Sequence, residues 1–201
     1  MYSVEQLKTQ YGTDYPIFPS DLGNTSSARV FLSRNAAAGK IERFASGIYY
    51  FPRQTRFGNS KLPIAQVYER KYIEDDGEIF GYYSGLSFQQ KIGYTQQIPN
   101  TPEITTNKEA SLRRTISLDG KRKVLLRKPR IRITTENCRL LPLLDLVTAE
   151  DTNILFDHIN LLSGYVQKEQ LQRNNLADVI AAYPAKTSQR LIETRLIYDF
   201  L

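Results

Sequence analysis

The chain has 201 residues, of which 41% are hydrophobic and 11% aromatic, and its formal net charge is +6. This composition excludes a disordered chain. No apolar run approaches the roughly 20 residues of a membrane-spanning helix. The single cysteine, Cys138, excludes an internal disulfide framework. The first residues, MYSVEQLKTQYG, have neither the basic nor the apolar part of a secretion signal. We therefore expect a cytoplasmic protein without a membrane partner.

The basic residues are concentrated in two blocks. Residues 26–58 hold six basic residues against one acidic residue, and residues 108–139 hold eleven against three. Residues 59–107 and 140–201 each carry more acidic than basic side chains. Basic blocks favour polyanions such as nucleic acid, because binding releases the counterions condensed on the polyanion.

The first part of the chain predicts three helices and then a hairpin. The helices are expected at residues 3–11, 20–22 and 28–38, and a glycine directly follows each of them. Two β-like runs come next, Lys40–Phe44 and Gly47–Phe51, with a turn between them. Three helices and a hairpin within about 50 residues are typical of a winged helix-turn-helix, so we predict such a DNA-binding domain at residues 1–58.

The third predicted helix has two different faces. Ala28, Phe31 and Leu32 fall on one face at helical spacing, which leaves Arg29 and Arg34 on the other. Arginine can bind guanine edges or phosphate, and three cations follow in and after the hairpin: Lys40, Arg43 and Arg53. The alternative interpretation is an ordinary solvated helix face.

Residues 59–201 predict a second, mixed α/β domain with a small antiparallel sheet and a helical C-terminal tail, so the overall class is α+β. Helices are expected at residues 62–71 and 84–91, and β-runs at 112–118, 122–127 and 130–134. The tail predicts helices at 140–147, 151–162, 167–173, 176–183 and 186–201.

The second basic block coincides with these β-runs. In the third run Ile131 and Ile133 alternate with arginines, which predicts an apolar face and a basic face. We expect a possible additional phosphate contact from Arg113, Arg114, Arg127, Arg130 and Arg132. A well-solvated sheet face explains the same alternation equally well.

The chain has few residues suited to catalysis. His158 and Cys138 are the only residues of their types, so neither a catalytic triad nor a metal site with soft ligands can be built from them. The one tight carboxylate cluster, Glu74, Asp75 and Asp76, is typical of a solvated turn. We expect no enzyme activity, no metal and no cofactor. A nucleic-acid-processing enzyme that uses this cluster remains an alternative.

Three segments together resemble a known family. GKIERFASGIYYFPR is similar to the wing of the AbiEi-like antitoxins, the regulator half of type IV (abortive infection) toxin–antitoxin systems. IFGYYSGLSFQQKIGYTQQIPNTPEITTN resembles the middle segment of that family. The basic β region and the tail ending ADVIAAYPAKTSQRLIETRLIYDFL resemble an uncharacterised branch of it.

The resemblance implies a DNA-binding antitoxin that represses its own operon by autorepression. Its N-terminal domain would bind inverted repeats of double-stranded DNA in its own promoter, and residues 59–201 would counteract a cognate nucleotidyltransferase-like toxin. The recognition helix would supply Ser27, Arg29, Ser33 and Arg34, and the wing would supply Lys40, Arg43, Tyr49 and Tyr50. The alternative is a protein-interaction module, or a transcriptional regulator without a toxin partner.

Overall fold

The computed structural model describes residues 3–200, and the predicted α+β class is confirmed, with 44% helix and 17% strand. Within these residues no helix has both the length and the apolar character needed to cross a membrane. The chain forms two compact units, which are described separately. The first runs to Lys71 and also takes in Ser117–Arg122, and the second comprises the remainder. Gly58, the last residue of the predicted first domain, lies inside the first unit.

The predicted order of three helices and a hairpin is present at the start of the chain, and a second hairpin follows that the sequence did not predict. The elements are α1 (Val4–Tyr11), a 3-10 helix (Pro19–Leu22), α2 (Ser26–Ala37), the hairpin β1 (Glu42–Ala45) and β2 (Ile48–Tyr50), the hairpin β3 (Gln54–Thr55) and β4 (Gly58–Asn59), and α3 (Ile64–Tyr72).

Strand β2 is buried on both faces. It pairs antiparallel with β1, and Tyr49 forms an isolated bridge with Ile17 through hydrogen bonds of 2.7 and 3.0 Å. Tyr49 belongs to the apolar cluster formed with α1 and α2, whereas Ile48 and Tyr50 pack in a second cluster with Val67 of α3. Strand β2 is therefore an internal strand of the first unit.

A buried ion pair connects α3 to the 3-10 helix. Arg70 Nη1 lies 2.7 Å from Asp21 Oδ2, and the two side chains are only 7% and 6% exposed. Arg70 also donates to the carbonyl of Pro16 and lies 4.9 Å from the ring centre of Tyr15. Asp21 in turn accepts a 2.8 Å hydrogen bond from the backbone amide of Phe18. These contacts fix the segment that leads into α2.

The second unit combines a four-stranded sheet with helices. Its strands are β5 (Glu74–Asp75), β6 (Glu78–Ile79), β7 (Gly81–Tyr83), β8 (Glu103–Thr106), β9 (Arg113–Ser117) and β10 (Lys123–Arg127). The sheet has the order β7-β8-β10-β9, in which β7 and β8 are antiparallel and β8 and β10 are parallel. A Cβ on Gly81 would lie 1.9 Å from the carbonyl oxygen of Tyr72, so only glycine fits there.

The helices of this unit supply most of its core. They are α4 (Gly85–Ile92), α5 (Leu140–Ala149), α6 (Thr152–Asp157), α7 (Ile159–Lys168), α8 (Arg173–Ile180), α9 (Ala185–Glu193) and a final 3-10 helix (Leu196–Asp199). Leu144 of α5 and Leu191 of α9 are buried in one cluster. A 2.8 Å hydrogen bond between the buried hydroxyls of Thr148 and Thr187 joins the same two helices.

Some secondary-structure predictions for the second unit are wrong. Residues 130–134 form no strand, because the side chain of Asn107 bonds the amide and the carbonyl of Ile133, each at 2.9 Å, and takes the place of a neighbouring strand. The helix predicted at 151–162 is broken at His158, and no separate helix forms at 167–173.

The buried ion pair predicts a large loss of stability on substitution of its arginine. Arg70→Met leaves Asp21 as a buried charge without its partner, and we expect the first unit to lose about 3–5 kcal/mol. Hydrogen–deuterium exchange of the Tyr49 amide, which donates to Ile17, measures this change.

Arg53→Met is the matched control, because the pair between Arg53 and Asp14 is 3.5 Å long and the Arg53 side chain is 68% exposed. Removing this exposed pair is expected to cost about 1 kcal/mol or less. Equal effects of the two substitutions would contradict the structural role given to Arg70.

Candidate nucleic-acid interface

Helix α2 is held in place by its cap and by its apolar face. Thr25 Oγ1 accepts a 3.1 Å hydrogen bond from the amide of Ala28, as a helix N-cap does. Ala28 and Leu32 are completely buried, and Phe31 and Ala36 are half-buried against the same cluster. The predicted inward face of the helix is confirmed.

The opposite face of α2 is exposed and carries the predicted polar residues, Ser27, Arg29, Ser33 and Arg34. Arg29 Nη2 donates to Asn24 Oδ1 at 3.0 Å, an exposed hydrogen bond within the chain's own helix entrance. Within residues 3–200 the Arg34 side chain forms no ion pair. The face therefore presents two guanidinium groups that no carboxylate of the described residues neutralises.

The first hairpin presents its cations but not its tyrosines. Lys40, just before β1, and Arg43, in β1, are both exposed, and Arg43 Nε donates to the carbonyl of Ala45 at 3.3 Å. Tyr49 and Tyr50 are 5% and 4% exposed. Their assignment to a DNA-contacting wing is corrected, because β2 is covered on both faces and the two rings pack in its two apolar clusters.

Glu42 joins the two hairpins of the first unit. Its Oε2 accepts a 2.6 Å hydrogen bond from the hydroxyl of Tyr50, and its Oε1 accepts one of 2.6 Å from Nδ2 of Asn59 in β4. Burial, and then the hydrogen bond to Glu42, raise the pKa of Tyr50 to about 12. Tyr50 thus fixes the carboxylate that holds the second hairpin.

This second hairpin brings further basic residues to the first unit. Arg53 precedes β3, and Arg56 and Phe57 form the exposed turn between β3 and β4. Arg53 is among the cations predicted from the sequence, but no strand is predicted at residues 53–60. The sequence signal for this turn is Gly58, because glycine readily adopts the positive φ of +104° found there.

Several arginines of the second basic block lie beside carboxylates. Arg114 pairs with Glu109 at 2.9 Å and Arg127 with Glu103 at 2.9 Å, and Arg130 lies 3.7 Å from Asp145. Of the five arginines predicted to contact phosphate, Arg113 and Arg132 are exposed without an ion pair in the described part of the chain.

An open cavity of about 760 Å³ lies in the second unit, and charges of both signs line it. Its cations include Lys128 and Arg132, and its carboxylates include Asp75, Asp76 and Glu78. Such a mixture does not form the uniformly basic surface that favours a polyanion. Among residues 3–200 no group of three or more histidine, cysteine or acidic residues could hold a metal ion.

Neither the protein-family models nor the curated proteins contain a match to the chain.

The raised pKa of Tyr50 predicts a change in stability at alkaline pH. The tyrosine ionises near its ordinary pKa of 10 when unfolded but near 12 when folded. Its contribution is fully present below pH 10 and is lost as the pH rises to about 12. We expect Tyr50→Phe to lose less stability over this range than the wild type does, measured as the midpoint of thermal unfolding by circular dichroism.

Tyr198→Phe, which changes a ring that is 70% exposed, is the matched control and should follow the wild-type profile. The same pH dependence in the wild type and in Tyr50→Phe would contradict the role of Tyr50.

Proposed function

We propose that the protein is a DNA-binding transcriptional regulator whose first unit is a winged helix-turn-helix. The observation that carries this proposal is the exposed face of α2, on which Arg29 and Arg34 form no ion pair with any of residues 3–200, while Ala28 and Leu32 on the opposite face are completely buried. A helix seated in this way can enter a major groove with its polar face toward the bases.

The order and pairing of the elements support this proposal. The first unit begins with α1, the extended Ile17, the 3-10 helix, α2 and the first hairpin, in that order. Ile17 pairs with β2, the second strand of that hairpin. This is the order expected of a winged helix-turn-helix, with α2 as the recognition helix and the turn between β1 and β2 as the wing.

Each exposed residue then has a chemical role. Arg29 and Arg34 can donate two hydrogen bonds to O6 and N7 of guanine, and Ser27 and Ser33 can bond base edges or phosphates. Lys40, Arg43 and Arg53 supply phosphate contacts outside the helix. In the second unit Arg113 and Arg132 are the residues that could add further phosphate contacts.

We further propose that the protein is an AbiEi-like antitoxin that represses its own operon at inverted repeats and counteracts a nucleotidyltransferase-like toxin. The sequence resemblance supports this proposal, together with exposed apolar side chains near the end of the chain. Ile192 of α9 is 56% exposed and Tyr198 is 70% exposed. The alternative is a transcriptional regulator without a toxin partner.

The two arginines of α2 are expected to determine specific DNA binding. Arg29→Ala combined with Arg34→Ala is expected to abolish specific binding to the DNA upstream of the gene, because each good bidentate contact contributes about 1–3 kcal/mol of discrimination. Electrophoretic mobility shifts with the upstream duplex and with a scrambled duplex of the same length measure this loss.

Arg173→Ala combined with Lys186→Ala is the matched control, since it removes the same two positive charges from exposed positions in α8 and α9. We expect this control to bind the upstream duplex specifically. Unchanged specific binding by the α2 variant would show that α2 is not the recognition helix.

The exposed apolar side chains near the end of the chain are expected to contact the toxin. The full-length protein should co-purify with the product of the adjacent gene, and Ile192→Asp combined with Tyr198→Asp should abolish co-purification, because charged side chains disrupt an apolar contact. Truncation is unsuitable as a test, since α8 and α9 contribute Leu176 and Leu191 to the core.

Leu112→Asp, at a position that is 85% exposed in the same unit, is the control and should leave co-purification intact. If the wild type brings down no adjacent gene product, the regulator without a toxin becomes the better proposal.

A further inference from the structure

We propose that the hairpin β3–β4 is a second DNA-contacting element, in which the ring of Phe57 inserts between base pairs of the duplex in the minor groove. The inference rests on the proposed function and adds a contact that the recognition helix and the first hairpin do not supply.

Phe57 is the most exposed large apolar side chain of the described residues. Its relative exposure is 101%, against 46% for Val30, the next most exposed in the first unit. Single apolar residues are common on protein surfaces, so exposure alone does not indicate a function. Three further features of the hairpin do: its rigidity, its anchoring and its charge.

The turn that carries Phe57 is fixed by side chains. Thr55 Oγ1 donates to the carbonyl of Gly58 at 2.7 Å and lies 3.2 Å from the amide of Phe57. Gln54 Nε2 donates to Asn59 Oδ1 at 2.7 Å across the two strands. A hairpin this short would otherwise be mobile. The extra bonds reduce the entropy that an inserting side chain loses on binding.

The hairpin is also anchored to the rest of the first unit. Asn59 Nδ2 donates to Glu42 Oε1 of β1 at 2.6 Å. At the base of the hairpin, the amide of Arg53 donates to Ser60 Oγ at 2.8 Å, and the amide of Ser60 donates to the carbonyl of Arg53 at 2.9 Å. The hydroxyl of Ser60 donates to Asp14. Phe57 is therefore held in a defined position relative to the first hairpin.

The charge around Phe57 selects the class of partner. Residues 52–63 contain Arg53, Arg56 and Lys61 and no acidic residue. Arg53 pairs with Asp14 at 3.5 Å, whereas Arg56 and Lys61 form no ion pair with any of residues 3–200. An apolar ring flanked by cations fits a phosphate-lined groove, where the cations contact the backbone and the ring contacts the bases. An apolar protein surface would leave those cations desolvated. The charge therefore favours duplex DNA over a protein partner.

Insertion of an apolar side chain partly unstacks one base step and kinks the duplex by about 20–90°. The hairpin would thus add affinity and bend the operator, while α2 would read its sequence. Stacking of one base on an aromatic side chain contributes to affinity, so Phe57→Ala should weaken binding about tenfold.

The chain contains no tryptophan, which makes a direct test possible. Phe57→Trp introduces a single indole at a fully exposed position, where folding is not at risk. With the duplex from upstream of the gene, we expect its fluorescence to be quenched by stacking and protected from acrylamide. Ile98→Trp, at a position that is 82% exposed in the second unit, is the control and should stay unchanged. Phe57→Ala is measured beside them by fluorescence anisotropy with a labelled duplex.

The outcomes separate the inference from the proposed function. If the wild type binds the duplex, but the introduced indole does not respond and Phe57→Ala binds with full affinity, the inference is overturned and the proposed function stands. If the wild type does not bind the duplex at all, both are overturned. An indole response to the co-purified adjacent gene product but not to the duplex would assign the hairpin to a protein partner and overturn the inference.

Discussion

The ion pair between Arg70 and Asp21 is the interaction on which the architecture of the first unit depends. It is buried, and it joins α3 to the 3-10 helix that directly precedes α2. Buried charges are tolerated only when both partners are present and hydrogen-bonded. Here Arg70 also donates to the carbonyl of Pro16, and Asp21 also accepts from the amide of Phe18. The pair therefore fixes the entrance of α2 and, through α3, the layer that covers β2.

The two units use arginine in different ways. In the second unit Arg114 and Arg127 lie within 2.9 Å of carboxylates, so these two charges are balanced within the fold. In the first unit Arg34 and Arg56 are exposed and form no ion pair with any of residues 3–200. The second unit contains more basic residues, but the DNA-binding proposal rests on the exposed cations of the first.

The elements of the fold were largely predictable because their signals are local. Helical spacing, capping residues and glycines after each helix determine α1 and α2, and the inward face of α2 follows from the same spacing. The errors concern contacts between distant residues. No local pattern shows that Asn107 bonds Ile133, or that Glu103 neutralises Arg127. The burial of Tyr49 likewise depends on packing against α1 and α2, and that of Tyr50 on packing against α3. The cations of the candidate site were thus identifiable from sequence, whereas their neutralisation was not.

The central claim is that the first unit contacts DNA through α2. The most direct test is to titrate the full-length, isotope-labelled chain with the duplex from upstream of the gene and to map the backbone amide shifts by nuclear magnetic resonance. We expect the largest shifts at residues 26–34 and in the turns of the two hairpins. Shifts confined to the helices from Leu140 onward, or no shifts, would contradict the claim.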